Sequence, residues 1–199
     1  MIRIATPDDF ATMLEIYEPF VKNTVVTFEL KVPSIKKFSA QLNSYMQEAP
    51  CLVYEIDKKV IAYAYAKPYR LFGAYAWTRE STVYVHPDYQ KNKIASALYT
   101  SLIELLKLQN YRVVLAAITL PNIPSVHFHT RQDFHLVGVF NNAGIKFSKS
   151  HRVAWYELLL KEDRAPTAPI RPIQDVLASD KGQEALKKGD KYINFVPSK

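Results

Sequence analysis

The sequence predicts an α/β domain of the α+β kind, in which a mixed central sheet carries helices on both faces. Short apolar runs of strand length alternate with longer segments whose apolar residues recur every three or four positions, as in an amphipathic helix. The run from 112 to 118 is apolar almost throughout, which is typical of a strand covered on both faces. With 199 residues, 48% of them hydrophobic and 23% charged, the chain suits one globular domain.

The first half predicts a short strand, two helices and a hairpin. After the strand at 2–4, the segment Thr6-Pro-Asp-Asp combines a capping threonine, a proline at the first helical position and acids in the first turn. Pro33-Ser34 indicates a second helix start. The apolar runs 51–56 and 60–66 flank Asp57-Lys-Lys and predict a β-hairpin. The predicted helix faces comprise Phe10, Met13, Leu14, Tyr17 and Val21, then Ile35, Phe38, Leu42, Tyr45 and Met46.

The second half predicts a strand, a loop and a long helix, followed by three strands and a short helix. The strand spans 81–85, the loop 86–93 and the long helix 94–109. After the apolar strand at 112–118, Pro121-Asn-Ile-Pro opens the short helix. Two last strands are predicted at 134–139 and 152–160, joined through the segment from Asn141 to Gly144.

A change in composition divides the chain into a domain at 1–162 and a tail at 163–199. Residues 164–172 are punctuated by prolines and predict an extended strap. The rest of the tail is rich in lysine and predicts a short helix around 180–188. Docking on the domain, docking on a partner subunit and mobility are three alternatives for this tail.

Composition also bears on location and partners. The sequence lacks a run of about 18 apolar residues, so no membrane-spanning helix is predicted. There is no apolar signal-peptide core, and the single cysteine, Cys51, lies in a predicted buried strand, which together predict a cytoplasmic protein. The net charge of +7 comes from scattered lysines without a recognisable nucleic-acid motif, so a nucleic-acid partner is not expected.

The strand–loop–helix unit predicts an anion site. A helix that begins directly after a loop points its first N–H groups at whatever the loop holds. Lys91 and Lys93 lie beside this helix start, and Glu80 precedes the strand. An anion site near a carboxylate suits group transfer from a phosphorylated carrier.

Four runs in this order resemble the phosphinothricin acetyltransferase branch of the GNAT acetyltransferases. They are Glu80-Ser-Thr-Val-Tyr-Val, Ser96-Ala-Leu-Tyr-Thr, Leu120-Pro-Asn-Ile-Pro-Ser-Val and Gly144-Ile-Lys. The resemblance covers about residues 2 to 160 and implies the GNAT acyltransferase fold. It also implies acetyl-CoA as acetyl donor, no metal, a homodimer, and a small amine acceptor of the phosphinothricin or methionine sulfoximine type.

The resemblance further implies roles for individual residues. Glu80 corresponds to the general base that deprotonates the amine, and His129 to an assisting acid or base. The acceptor pocket would include Phe28, Arg70, Tyr75 and Tyr84. The residues implied to bind the cofactor are Val83, Tyr84, Val85, Lys91, Asn92, Lys93, Ile94, Ala95, Ser96, Asn122 and Ser125.

This chain departs from the family pattern at several positions. Lys93 and Asp133 stand where relatives carry glycine, and at Lys93 this predicts a backbone with positive φ. In the loop after the hairpin, Phe72 replaces one of two basic residues. Ser150 and Arg152 replace a tryptophan and an acid. Two rival functions therefore remain: a GNAT-fold binding or regulatory protein without turnover, and an acetyltransferase for a polyamine or a protein N-terminus.

Overall fold

One seven-stranded mixed sheet organises the molecule. The computed structural model describes residues 1–161 and 168–193. The strands are arranged in the order β1-β2-β3-β4-β5-β7-β6, and only β4 and β5 run parallel among the neighbouring pairs. Their bounds are Ile2–Ile4 (β1), Cys51–Ile56 (β2), Lys59–Pro68 (β3), Thr78–Val85 (β4), Val113–Leu120 (β5), His135–Lys146 (β6) and Lys149–Leu159 (β7).

Helices cover both faces of the sheet, as predicted. On one face, α1 and α2 enclose a core cluster that contains Met13, Leu42 and Tyr63. On the other face, α3 packs its leucines against a second cluster. The helices span Phe10–Asn23 (α1), Ile35–Met46 (α2), Ile94–Leu108 (α3), Ile123–Thr130 (α4), Ile173–Leu177 (α5) and Asp180–Lys187 (α6).

The parallel strands β4 and β5 pair over only a short distance. Their register runs from Thr78 opposite Val113 to Glu80 opposite Leu115 and then stops. Beyond Glu80, β4 keeps its antiparallel partner β3, with Ser81 to Val85 opposite Ala66 to Ala62. The two parallel strands therefore diverge and leave one backbone edge of β4 facing an opening in the sheet.

The turns explain how the antiparallel strands connect. Asp57 and Lys58 have φ of 48° and 63°, the left-handed values that a tight hairpin turn requires. The predicted position of the connection between the last two strands, at 141–144, was wrong. That segment lies inside β6, at a register shift against β7, and the turn falls at Phe147-Ser148 with φ of 52° and 59°. The asparagine and glycine signal marks an irregularity in the strand rather than its end.

The C-terminal segment packs against α3 and β1. Ile173, Val176, Ala185 and Leu186 are buried in the same core cluster as α3, and a short 3-10 turn follows α6 at Lys188–Tyr192. The Gly189 N–H donates to Ser101 Oγ at 3.0 Å, and the Ile2 N–H donates to Asp190 Oδ1 at 2.9 Å. The predicted helix near 180–188 is present as α6. The predicted boundary at 162/163 lies outside the described residues, as does the first part of the predicted strap, at 164–167.

Candidate active site

A large cleft opens where β4 and β5 diverge. Its volume is about 1470 Å³, and its walls come from both strands, the start of α3, α4, and the ends of α1 and α2. Six consecutive residues of β4, from Glu80 to Val85, line the cleft, so both faces of this strand contribute to it. The cleft thus joins the α3 face of the sheet to the α1–α2 face.

The start of α3 forms a positively charged end of this cleft. Lys93 caps the helix with φ 60° and ψ 7°, a left-handed conformation, and Lys91 has φ 68°. The first helical hydrogen bond runs from the Ala97 N–H to the Lys93 C=O. The amides of residues 94 to 96 precede that bond, so they can donate to an anion in the cleft. The positive φ predicted from the missing glycine at Lys93 is confirmed, and Asp133 likewise has φ 62°.

Side chains of β3 and β4 form the floor of the cleft on the α1–α2 face. Successive residues of a strand point to opposite faces, so Glu80, Thr82 and Tyr84 share one face. Directly opposite them on β3 lie Lys67, Tyr65 and Tyr63 respectively. All six line the cleft. Glu80 belongs to β4 itself, because the strand begins at Thr78, three residues before the predicted start at Ser81.

Aromatic rings from α1, α2 and the segment between them cover this floor. Together with the tyrosines of the floor they form what we term the aromatic chamber. It comprises Tyr17, Phe20, Phe28, Phe38, Tyr45, Tyr63, Tyr65 and Tyr84. Tyr84 packs with its ring centroid 4.9 Å from that of Tyr17 and 5.0 Å from that of Phe20. Phe28 reaches the chamber because Gly144 has no side chain: a Cβ there would lie 2.4 Å from the Phe28 ring. Burial raises the pKa of Tyr63 and of Tyr84, which keeps both phenols neutral.

Glu80 meets a basic side chain within the chamber. The Lys67 ammonium lies 3.0 Å from Glu80 Oε1, and the two side chains are 32% and 18% exposed. Neither side chain is sealed off, so a ligand in the cleft can reach both. Lys67 was not among the residues predicted from the sequence.

His129 is held by a buried hydrogen-bond network at the edge of the cleft. Its Nδ1 lies 2.8 Å from the Ser125 C=O, and its Nε2 lies 3.2 Å from the hydroxyl of Tyr99. Desolvation lowers the pKa of His129, which favours the neutral imidazole. A neutral imidazole has one N–H, and the Ser125 carbonyl can only accept, so Nδ1 carries the proton and Nε2 is an acceptor. The single proton of the Tyr99 hydroxyl therefore has two acceptors, Nε2 and, at 3.0 Å, Ser81 Oγ.

The remaining predicted cofactor residues fall mostly along the cleft. Val83 and Val85 line it from β4, and Ile94, Ala95 and Ser96 line it from α3. Asn122 caps α4 by accepting from the Ser125 N–H at 3.2 Å, and both residues line the cleft. Asn92 differs, because its side chain donates to the Tyr89 C=O at 3.3 Å and it is not part of the wall.

Two predicted acceptor residues lie elsewhere. Arg70 stacks near the rings of Tyr69 and Tyr75, with its Cζ 5.2 and 5.8 Å from their centroids. Arg70 and Tyr75 line a separate, smaller cavity of about 380 Å³ that also includes Glu48. Their loop folds away from the aromatic chamber, so within this chain the structure does not bring them to Glu80.

Comparison with known proteins agrees with this geometry. The family profile described as "Acetyltransferase (GNAT) domain" matches residues 2–155. The chain belongs to the GNAT acetyltransferase family. It is 33% identical to a phosphinothricin N-acetyltransferase of Streptomyces viridochromogenes over 88% of this chain and 95% of the relative. It is 28% identical to an L-methionine sulfoximine/L-methionine sulfone acetyltransferase of Salmonella typhimurium, over 84% and 98% of the two chains.

A solved structure extends the comparison to three dimensions. The phosphinothricin acetyltransferase of Sinorhizobium meliloti, in complex with AcCoA, matches with a TM-score of 0.81 at 26% identity. The match covers 87% of this GNAT chain and 96% of the other. The GNAT fold predicted from the sequence is confirmed, and so is the enzyme class, an N-acetyltransferase that uses acetyl-CoA as acetyl donor.

The described residues fit acetyl-CoA. The lysines and free amides at the start of α3 suit its phosphates, and the unpaired edge of β4 suits the amide-bearing arm. No group of three or more potential metal ligands occurs in the part of the chain that the structure describes. Within the same residues, no helix is long and apolar enough to cross a membrane.

Sequence reasoning missed several members of this GNAT site. Besides Lys67, they include Tyr17, Phe20, Phe38, Tyr45, Tyr63 and Tyr65. The alternation of Tyr63 and Tyr65 along the strand predicted at 60–66 was a usable signal, because residues two apart share a face of the sheet. Lys67 continues this alternation because the strand extends to Pro68, beyond its predicted end.

Proposed function

We propose that this GNAT enzyme transfers an acetyl group to the amino group of a small amino-acid-like acceptor of the phosphinothricin or methionine sulfoximine type. One observation carries the proposal: Glu80 lies at the floor of an aromatic chamber, directly beside the point where β4 loses its parallel partner. Relatives named for phosphinothricin and for methionine sulfoximine or sulfone support the acceptor class.

In this proposal the two ends of the cleft have separate tasks. Lys91, Lys93 and the amides of residues 94–96 bind the phosphates of acetyl-CoA. The backbone edge of β4 from Val83 to Val85 pairs with its amide-bearing arm, and Asn122 and Ser125 complete the wall on the α4 side. The acetyl end then points toward Glu80.

Glu80 acts as the general base. Bound acetyl-CoA supplies a thioester, the activated form of the acetyl group. An amine attacks only with a free electron pair, and at neutral pH an amino acid carries its amine as an ammonium. Glu80 accepts that proton, directly or through one water, from an acceptor held against the chamber floor. General bases of this kind contribute about 10²- to 10⁴-fold to the rate.

His129 assists by positioning Tyr99. Both ring nitrogens of His129 already face partners within the protein, so the imidazole is not free to exchange a proton with a ligand without breaking one contact. Tyr99 lines the cleft, and its hydroxyl is oriented by His129 and Ser81. We therefore propose that His129 assists indirectly, by orienting the Tyr99 hydroxyl.

The charge of the cleft favours an anionic acceptor over a polyamine. Its described lining contains four basic side chains, Lys67, Lys91, Lys93 and Arg131, against two acidic ones, Glu29 and Glu80. A polyamine would need a predominantly acidic groove. The acetyl-CoA phosphates account for the lysines near α3, and Lys67 remains for the acceptor.

We also propose that the enzyme is a homodimer that acts in the cytoplasm, where acetyl-CoA is available. The edge strand β6 exposes several apolar side chains, namely Leu136, Val137, Val139, Phe140 and Ile145. Exposed apolar edge strands are readily paired with another chain. Replacing Val137 with lysine should lower the molecular mass measured by light scattering from that of a dimer to that of a monomer.

The decisive test compares wild type with Glu80→Gln. Acetyl transfer to L-methionine sulfone is followed by the thiol released from acetyl-CoA, and acetyl-CoA binding is measured by calorimetry. We expect turnover to fall at least about 100-fold, as for loss of a general base, while acetyl-CoA binding changes little. A Glu15→Gln variant, altered on the outer side of α1, serves as the matched control. Equal turnover in Glu80→Gln and wild type would refute the assignment of the base.

A further inference from the structure

Lys67 and Glu80 form an ion pair at the place where the acceptor must bind. They are cross-strand neighbours on β3 and β4, and Lys67 Nζ lies 3.0 Å from Glu80 Oε1. Side chains directly opposite each other on antiparallel strands are held at a separation of about 5 Å between their Cβ atoms. The pair therefore presents one positive and one negative group side by side, on a rigid part of the sheet.

This arrangement is complementary to a zwitterion. An α-amino acid carries its ammonium and its carboxylate on the same carbon, so the two groups are also side by side. Of the basic side chains that line the described cleft, Lys91 and Lys93 lie at the start of α3 and Arg131 follows α4. Lys67 is the one that comes from the sheet floor next to Glu80.

We propose that Lys67 selects the acceptor by exchanging partners. In the free enzyme its ammonium holds Glu80, and in the complex it binds the carboxylate, or an equivalent anionic group, of the acceptor. The exchange frees Glu80 to take the proton of the neighbouring amine. Only an acceptor that carries an anion beside its amine therefore releases the base. Lys67 then has the role in the acceptor pocket that the sequence suggested for Arg70. This inference rests on the proposed acetyl transfer.

The competing explanation is that Lys67 only helps to hold the two strands together. Ion pairs between partly exposed side chains contribute little to stability. If Lys67 had only this role, replacing it would leave both the fold and the choice of acceptor nearly unchanged. The two explanations differ in one property: only the exchange of partners makes the effect of replacing Lys67 depend on the acceptor's carboxylate.

The experiment uses two probes that differ in that group: L-methionine sulfone and its carboxamide. Steady-state kinetics are measured for wild type, Lys67→Met and the control Lys107→Met, which breaks another lysine–glutamate pair, on α3 and outside the cleft. Losing a hydrogen bond to a charged group should raise KM of Lys67→Met for the sulfone about 10- to 100-fold. For the carboxamide KM should change less than about threefold, and Lys107→Met should match wild type with both probes.

A binding measurement without turnover completes the test. The deaminated analogue 4-(methylsulfonyl)butanoate keeps the carboxylate and lacks the amine. By calorimetry in the presence of CoA, it should bind Glu80→Gln several-fold more tightly than wild type, because Lys67 no longer has a competing partner. It should bind Lys67→Met several-fold more weakly.

The outcomes separate this inference from the proposed function. If wild type acetylates the sulfone but Lys67→Met changes KM for both probes equally, the exchange is refuted and the proposed function stands. The exchange is also refuted if the deaminated analogue binds all three proteins equally, or none of them. If wild type acetylates neither probe while the analogue binds as expected, the proposed acceptor fails and the anion-binding role of Lys67 stands.

Discussion

The left-handed conformation of Lys93 leads to a prediction about stability and cofactor binding together. With φ 60° and ψ 7°, this residue occupies backbone space that glycine reaches without steric cost. A side chain there costs about 1–2 kcal/mol, and the greater freedom of glycine in the unfolded chain offsets about 0.5–1 kcal/mol of that. Lys93→Gly should therefore raise the free energy of unfolding by about 0.5–1 kcal/mol. For a chain of this size, Tm should rise by about 1–4 °C.

The same substitution removes an ammonium from the start of α3. If this group contacts the phosphates of acetyl-CoA, its loss costs roughly 1.5 kcal/mol, or about a tenfold weaker Kd. Lys93→Ala is the matched control, because it removes the charge and keeps the strained backbone. It should weaken acetyl-CoA binding as much as Lys93→Gly, without the rise in Tm.

Calorimetry with acetyl-CoA and thermal unfolding of the three proteins test both parts. Raising the salt concentration should narrow the difference in Kd between wild type and the variants, because salt screens charged contacts at the surface. Tighter binding by Lys93→Gly than by wild type would refute the reasoning, because the side chain would then obstruct the phosphate site. An unchanged or lower Tm would refute the calculation of strain.

Three further predictions follow from close contacts and from burial. Gly144→Ala should raise KM for the acceptor about fivefold and leave the acetyl-CoA affinity measured by calorimetry unchanged. The added Cβ would lie 2.4 Å from the Phe28 ring and displace that ring, an overpacking that costs about 1 kcal/mol. Gly189→Ala should destabilise the protein by roughly 2 kcal/mol in urea unfolding, because its Cβ would lie 2.0 Å from a carbonyl oxygen of α3. Gly73→Ala, with nothing within 4 Å, is the control. Because burial lowers the pKa of His129 from 6.5, the unfolded chain binds the proton more readily; stability should fall as pH drops below about 6.5, and less so in His129→Gln.

The sequence predicted the architecture well because periodicity and burial express the same physical constraint. A strand covered on both faces, such as β5, must be apolar throughout, and a helix on a sheet must be apolar on one side. The positive φ at Lys93 could also be predicted, because backbone geometry at a helix end is imposed by the fold rather than by the side chain, and Asp133 has the same conformation. Glycine is absent from both positions, and the conformation is retained.

The proposed acceptor site was harder to predict, because two of its candidate residues, Arg70 and Tyr75, lie in a loop. Arg70 and Tyr75 lie in a stretch without periodicity, so the sequence contains no signal for the face on which their side chains fall. The structure turns this loop toward Glu48, away from the chamber. Lys67 is the opposite case: it belongs to a regular strand, and its position follows from the register of β3 against β4 once that register is known.

That register is what turns Glu80, the proposed base, into the chamber, and both faces of the sheet maintain it. A slip of one residue would turn Glu80 away and place Arg79 in the chamber. On the α3 face, Arg79 is 3% exposed, pairs with Glu48 and donates to the Tyr111 hydroxyl at 2.7 Å. On the chamber face, Tyr84 is buried opposite its partner on β3. A slip would bury the Glu80 carboxylate on the α3 face without Lys67 and would separate the buried Arg79 guanidinium from Glu48 and Tyr111, which costs several kcal/mol. The Glu80 carboxylate, the proposed base, is therefore positioned by the buried residues Arg79 and Tyr84 of its own strand, and not by the loop that precedes it.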